Sequence, residues 1–172
     1  VASFFCYLAN SPFVLIDHFG LSPRQYSVAF AVNAISFIGC SQLTGRLGKR
    51  LGLEVLVKRA VTGYALAMLS LLVLRLLGLD RLDVLLALLF VGYGCLGLVM
   101  PATAVLALDR HGAIAGTASA LMGTLQFVTG VLVMGLVGLF VTGSSLPMVA
   151  GIGLCSLIVW LISRNTLGGS KR

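Results

Sequence analysis

Of the 172 residues, 59% are hydrophobic and only 10% are charged, and the mean hydropathy is +1.08. A soluble domain carries roughly 25% charged residues, and a core of this size has no room for so much apolar surface, which excludes a water-soluble fold. The net charge of +7 is carried at the ends of apolar runs, where it reads as the basic flank of membrane spans rather than a nucleic-acid surface.

The apolar runs approach the ~20 residues a transmembrane helix needs. No ~10-residue segments of strict alternation mark a β-barrel. The expected fold class is therefore an all-α integral membrane protein. A partial span covers about residues 1–16. It opens in mid-run without Met or a basic segment, unlike a signal peptide, and is interrupted by Asn10-Ser11-Pro12; it reads as a fragment beginning partway down a helix. Asp17-His18-Phe19-Gly20 forms the first loop. Ser22-Pro23 predicts a helix start, with Ser as cap and Pro in the first turn.

Five full spans follow, at about 25–45, 60–79, 84–108, 113–142 and 146–163. A basic loop, Arg46 to Arg59, separates the first two. Arg75 closes the next span and can snorkel to the interface, and Asp80-Arg81-Leu82-Asp83 is a short loop. Asp109-Arg110-His111-Gly112 reads as a solvated turn without a nucleophile beside it. Gly143 to Pro147 is a tight uncharged turn.

One set of span ends holds Arg46, Lys49, Arg50, Lys58, Arg59, Arg110, Arg164, Lys171 and Arg172; the other holds Arg24, Arg75 and Arg81. These are all twelve Lys and Arg, split nine to three. The positive-inside rule places the nine, and the C-terminus, in the cytoplasm. Trp160 and Tyr64 near those ends and Tyr26 near the opposite one read as interfacial aromatics. Cys6, Cys40, Cys95 and Cys155 lie in separate apolar runs without metal spacing and read as packing residues. No cofactor or metal is expected.

Small and polar residues fall on stripes. Gly94, Gly97, Pro101, Ala104 and Leu108 repeat at helical spacing, so another backbone can approach closely. Pro101 presses on the carbonyl of Gly97 and is expected to kink the helix. Gly92 to Gly97 also matches GxGxxG, but inside a span, after no strand and without an acidic ribose partner, so the match is accidental. Gly112, Gly116, Ser119, Gly123, Gln126 and Gly130 form a matching stripe, and Ala29, Asn33, Ser36, Cys40 and Thr44 a third. Asn33, Tyr93 and Gln126 lie deep and need polar partners. Each is either an interhelical hydrogen bonder or a contact to substrate in a cavity. An enzyme would need His, Asp or Glu clustered at one depth, and none is so placed; the expectation is a non-enzyme.

LGLVMPATAVLAL (Leu96–Leu108) and AGTASALMGTLQF (Ala115–Phe127) resemble the C-terminal half of Bcr/CflA-type, bicyclomycin-resistance-like drug-efflux transporters of the major facilitator superfamily. SPFVLIDHFGLSPRQY (Ser11–Tyr26) is similar to the end of their seventh helix and the loop after it, and NAISFIGCSQLTGRL (Asn33–Leu47) to their eighth, so the resemblance covers helices seven (partial) to twelve. Arg46, Gly48, Lys49 and Arg50 resemble the superfamily's basic cytoplasmic loop motif, with Gly45 where an Asp often stands and Ser41 where the first Gly stands. The resemblance implies the C-terminal six-helix bundle of a twelve-helix bacterial inner-membrane transporter. It would export small lipophilic, drug-like compounds by alternating access, coupled to protons, together with an N-terminal six-helix half. The alternatives are a carrier for a specific sugar or metabolite and a non-transport membrane protein.

Overall fold

A computed structural model describes residues 1–109, 114–139 and 145–167. Six α-helices make up almost all of them: α1 (Ala2–Pro12), α2 (Pro23–Leu51), α3 (Leu53–Leu76), α4 (Leu82–Asp109), α5 (Ala115–Gly138) and α6 (Leu146–Leu167). Five of them, α2 to α6, are long and apolar enough to cross a membrane. A short first helix and five helices of membrane-spanning length are therefore the observed architecture among the described residues. Arg110, His111 and Gly112, residues 113 and 140–142 of the expected fifth span, Gly143 and Ser144 of the turn after it, Lys171 and Arg172 lie outside the described residues.

The expected interruption at Asn10-Ser11-Pro12 is not there. α1 runs through Pro12 into a π-helical turn, Phe13–His18. The polar residues are absorbed by partners. Asn10 Nδ2 donates to the Cys6 carbonyl at 2.8 Å, and the Ser11 and Tyr26 hydroxyls are 3.1 Å apart. Residues 17 and 18 thus belong to the helical continuation, and the chain turns at Gly20, whose φ of +70° suits glycine. The cap of α2 is as expected. Ser22 Oγ accepts from Gln25 N at 3.3 Å, Gln25 Oε1 accepts from Ser22 N at 2.9 Å, and Pro23 sits in the first turn.

The basic loop from Arg46 to Arg59 is corrected more sharply. α2 continues to Leu51 and α3 begins at Leu53, so one residue, Gly52, joins them. Gly52 has φ +82°, a left-handed conformation closed to most side chains, and reverses the chain there. Arg46, Gly48, Lys49 and Arg50 are therefore helical, on the last turns of α2, with all three cations exposed. A helix can continue past the hydrocarbon into the headgroup region, where its charges are solvated. α3 likewise ends at Leu76 rather than at 79, and α4 starts at Leu82 within the expected loop.

Apart from α3 and α4, helices adjacent in sequence pack little on one another. α4 lies between α2 and α3; α3 also packs on α6, and α1 packs on α5 and α6. The main core joins Cys6, Tyr7 and Leu15 to Tyr64, Met68, Leu89, Tyr93 and Ile152. A second cluster at the basic end holds Val57, Ala60, Val61, Val99 and Ala102, with Trp160 against it.

The α2 stripe is a packing face, because Ala29, Asn33, Ser36 and Thr44 are the buried residues of that helix. It meets the α4 glycines. A Cβ on Gly97 would lie 2.2 Å from the Phe37 carbonyl oxygen, and one on Gly94 would lie 2.8 Å from Ser36 Oγ. Ser36 Oγ also donates to the Phe90 carbonyl at 2.7 Å. Pro101 lies inside α4 without ending it.

The matching stripe on α5 behaves differently. Gly130 packs on Phe5, but nothing lies within 4 Å of a Cβ built on Gly116 or Gly123, and Ser119 is exposed. The expected packing at Gly116, Ser119 and Gly123 is thus not made among the described residues. Periodicity put small residues on one face of α5 but did not supply a helix to cover it.

Candidate functional site

Asn33 and Tyr93, from α2 and α4, come together with α1. They line a cavity of about 250 Å³ with Phe4, Tyr7, Phe30 and Phe37. Its walls are aromatic. The Tyr7 ring lies 5.0 Å from that of Tyr93 and stacks on Phe30 at 6.0 Å, and Phe4 stacks on Phe37 at 5.8 Å. The polar tips turn inward to protein. Asn33 Nδ2 donates to Tyr7 Oη at 3.2 Å, while Asn33 Oδ1 is buried with no partner among the described residues. Tyr93 Oη reaches the Ser3 carbonyl at 3.4 Å, and Tyr64 Oη donates to Ser3 Oγ at 2.6 Å.

Sequence reading missed Tyr7 and Ser3 here, although a hydroxyl in an apolar run was the signal available. Tyr64 was expected at the membrane interface. It is instead 3% exposed, its hydroxyl taken by α1. Tyr26 does stand near the opposite end, as expected, bonded to Ser11.

Gln126 does not join Asn33 and Tyr93. It lines a larger, open cleft of about 830 Å³ between the second half of α4 and the first half of α5, with Met100, Thr103, Thr117, Met122 and Thr129. Thr103 and Thr129 spend their hydroxyl protons on carbonyls of their own helices. The cleft therefore offers acceptor oxygens, two thioethers and the Gln126 amide on an apolar surface. It suits a lipophilic molecule with few polar groups.

At the end opposite the basic one, sequence reading also missed a polar clasp. Asp80, after α3, lies 2.5 Å from His18 Nε2 and 3.2 Å from an Arg75 guanidinium nitrogen. Ser145, just before α6, donates to Asp80 Oδ1 at 3.2 Å and accepts from Arg75 Nε at 2.6 Å. Arg75 was expected to reach toward the interface. It turns instead to this carboxylate, so four side chains tie the ends of the α1 continuation, α3, α4 and α6 together.

Among the described residues, no group of three or more His, Cys, Asp or Glu is placed to hold a metal ion. The described Asp, Glu, Lys and Arg residues stand at helix ends or in the turns between them. Membrane-length helices, charge confined to their ends, and apolar clefts with a few amide and hydroxyl groups define a polytopic α-helical membrane protein. Residues 1–134 match the Major Facilitator Superfamily, and the chain belongs to that family. It is 34% identical over 144 residues to an uncharacterized MFS-type transporter, YdgK, of Bacillus subtilis, covering 84% of this chain and 35% of that protein. It is 26% identical over 166 residues to a bicyclomycin resistance protein homolog of Haemophilus influenzae, covering 94% of this chain and 42% of that protein. The chain thus spans well under half the length of these curated relatives. No solved structure matches it.

Proposed function

We propose that the chain is the C-terminal half of a secondary transporter that exports small lipophilic, drug-like compounds by alternating access, with proton antiport as the energy source. The observation that carries this reading is the cleft at Gln126, open and mostly apolar, on a helix whose face at Gly116, Ser119 and Gly123 is uncovered. A carrier built of two packed halves binds substrate at the interface between them. The open face of α5, with Gly116, Ser119 and Gly123, is where an N-terminal six-helix half would close the cavity. The match to a bicyclomycin resistance homolog supports drug export over import of a specific sugar or metabolite. Such import favours cavities richer in polar groups, whereas here the described Asp, Glu, Lys and Arg side chains stand toward the helix ends.

The nine-to-three division of basic residues supports a cytoplasmic C-terminus in a bacterial inner membrane. Asn33, Tyr93 and Gln126 are the proposed substrate-facing residues, and Arg46, Gly48, Lys49 and Arg50 the cytoplasmic charged segment. Pro101 is the proposed bend in α4.

The reading is tested by expressing the longest gene product containing this chain in an efflux-deficient bacterium. Resistance to several unrelated lipophilic compounds, and dye extrusion abolished by a protonophore, are expected. Uptake of one metabolite with no resistance would overturn the reading. At unchanged membrane abundance, Gln126→Ala and Asn33→Ala should alter resistance to individual compounds about fivefold, the effect of one hydrogen bond of ~1 kcal/mol. If both changes only lower abundance, the residues are structural.

A further inference from the structure

At the basic end of the bundle, α3 and α6 frame a groove of about 470 Å³ lined by Lys58, Thr62, Trp160, Ser163 and Arg164. Lys58 and Thr62 are one turn apart on α3. Trp160, Ser163 and Arg164 stand at i, i+3 and i+4 on α6, so each helix offers one face to the groove. Its floor is apolar, since Trp160 packs on Val57, Ala60, Val61, Val99 and Ala102. The Arg164 guanidinium lies 4.8 Å above the Trp160 ring, which restricts where its charge can go.

Among the described residues, no carboxylate lines the groove. Neither Lys58 nor Arg164 forms a salt bridge among the described residues, although Glu54 stands one turn before Lys58. The Thr62 hydroxyl donates to the Lys58 carbonyl at 2.8 Å, which leaves Ser163 as the neutral donor. Two cations and a hydroxyl, gathered without a counter-charge, fit a phosphate oxygen cluster. The groove also opens onto the flank of two membrane-spanning helices. The Lys58–Thr62 row continues at the next turn with Leu66, an apolar side chain 63% exposed. A ligand that fills both parts has an anionic head and a hydrocarbon tail.

We infer that this groove binds the headgroup of an anionic phospholipid, with Lys58 and Arg164 on the phosphodiester, Ser163 donating to it, and an acyl chain along the α3–α6 seam past Leu66. A zwitterionic headgroup fits less well, because its ammonium meets no acceptor carboxylate here. The site requires only that this end of the bundle meet a membrane surface. It does not depend on which compound the carrier moves, and it stands if the export reading fails.

The test uses the longest gene product containing this chain, reconstituted in phosphatidylcholine vesicles with a trace of spin-labelled phosphatidylglycerol or spin-labelled phosphatidylcholine. The fraction of label immobilised at the protein is read by electron paramagnetic resonance. Phosphatidylglycerol is expected to be retained several-fold over phosphatidylcholine. Lys58→Gln and Arg164→Gln should each lower that preference roughly fivefold or to parity, the worth of one basic residue near an anionic lipid surface. Equal retention of the two lipids by the unaltered protein, which needs no variant, would overturn the proposal. So would full preference in the double variant, or displacement of phosphatidylglycerol by inorganic phosphate, which would make the groove a site for free phosphate.

Discussion

Gly97→Ala should strongly destabilise the bundle, although alanine is by itself the better helix former. In an isolated helix the change is worth about 1 kcal/mol in alanine's favour. Here the new methyl would sit 2.2 Å from the Phe37 carbonyl oxygen and 3.0 Å from its carbon, both backbone atoms that no rotamer change can move. α2 and α4 must separate, and the Ser36-to-Phe90 hydrogen bond between them is lost with the contact. Overpacking a close contact costs typically ~1–3 kcal/mol, and a rigid backbone partner puts this site at or beyond the upper end. The steric term therefore outweighs propensity. Gly116→Ala and Gly123→Ala are the matched controls. A Cβ at either position meets nothing within 4 Å, so each should leave the stability of this bundle unchanged or slightly raised. Thermal denaturation in detergent, followed by circular dichroism, separates the cases. Equal midpoints for Gly97→Ala and the two controls would refute the close approach of α2 and α4.

Asp80→Asn carries the second-largest expected effect. The carboxylate accepts from His18, Arg75 and Ser145 at once, and its side chain and that of Arg75 are only 24% and 20% exposed. An amide keeps the size but loses the charge, and it turns one acceptor into a donor facing donors. Hydrogen bonds to charged groups are worth ~1.5–3 kcal/mol each when lost in part-buried settings. Exposed pairs such as Arg81 with Asp83, at 3.5 Å, contribute little. Asp80→Asn should thus destabilise by about 2 kcal/mol, and Asp83→Asn by less than ~0.5 kcal/mol. The same thermal measurement decides. A loss for Asp83→Asn as large as that for Asp80→Asn would mean that the clasp adds no stability beyond an ordinary surface pair.

The hydropathy of the chain made the class and the number of spans legible, and Ser22-Pro23 made the α2 cap so. It did not make the helix ends legible, for a physical reason. Hydropathy reports where hydrocarbon ends, whereas a helix ends where its backbone turns. Between Arg46 and Arg59 those places are far apart, and a single glycine of positive φ makes the turn. The stripes show a similar divide. Spacing correctly placed Gly94 and Gly97 on a face, and the structure supplies Phe37 and Ser36 against it. The same spacing on α5 found a face that, Gly130 apart, meets no partner among the described residues, because periodicity says nothing about what lies opposite. The clasp was illegible for a third reason: His18, Arg75, Asp80 and Ser145 are far apart in sequence, and each alone reads as an ordinary helix-end polar residue. Asn33 and Tyr93 were correctly singled out as needing partners. The partners, Tyr7 and Ser3, lie on the helix whose short apolar run offered the least pattern.

The packing order has a consequence for how the protein is made. α1 lies on α5 and α6, and α2 on α4, so helices adjacent in sequence are mostly not adjacent in space. α1 carries Ser3, Tyr7, Asn10 and Ser11 buried in the finished bundle. Yet α5, one of its two main supports, leaves the ribosome roughly 100 residues later, about 5–20 s at ordinary elongation rates. Its polar groups can pair sooner, with Tyr26, Asn33, Tyr64 and Tyr93 of α2 to α4, but the flank that α5 and α6 cover stays open until those helices arrive. The tightest need for shelter therefore falls on the first helix of this bundle. Slowing or speeding translation between α1 and α5 should change the yield of correctly assembled protein without changing a single residue.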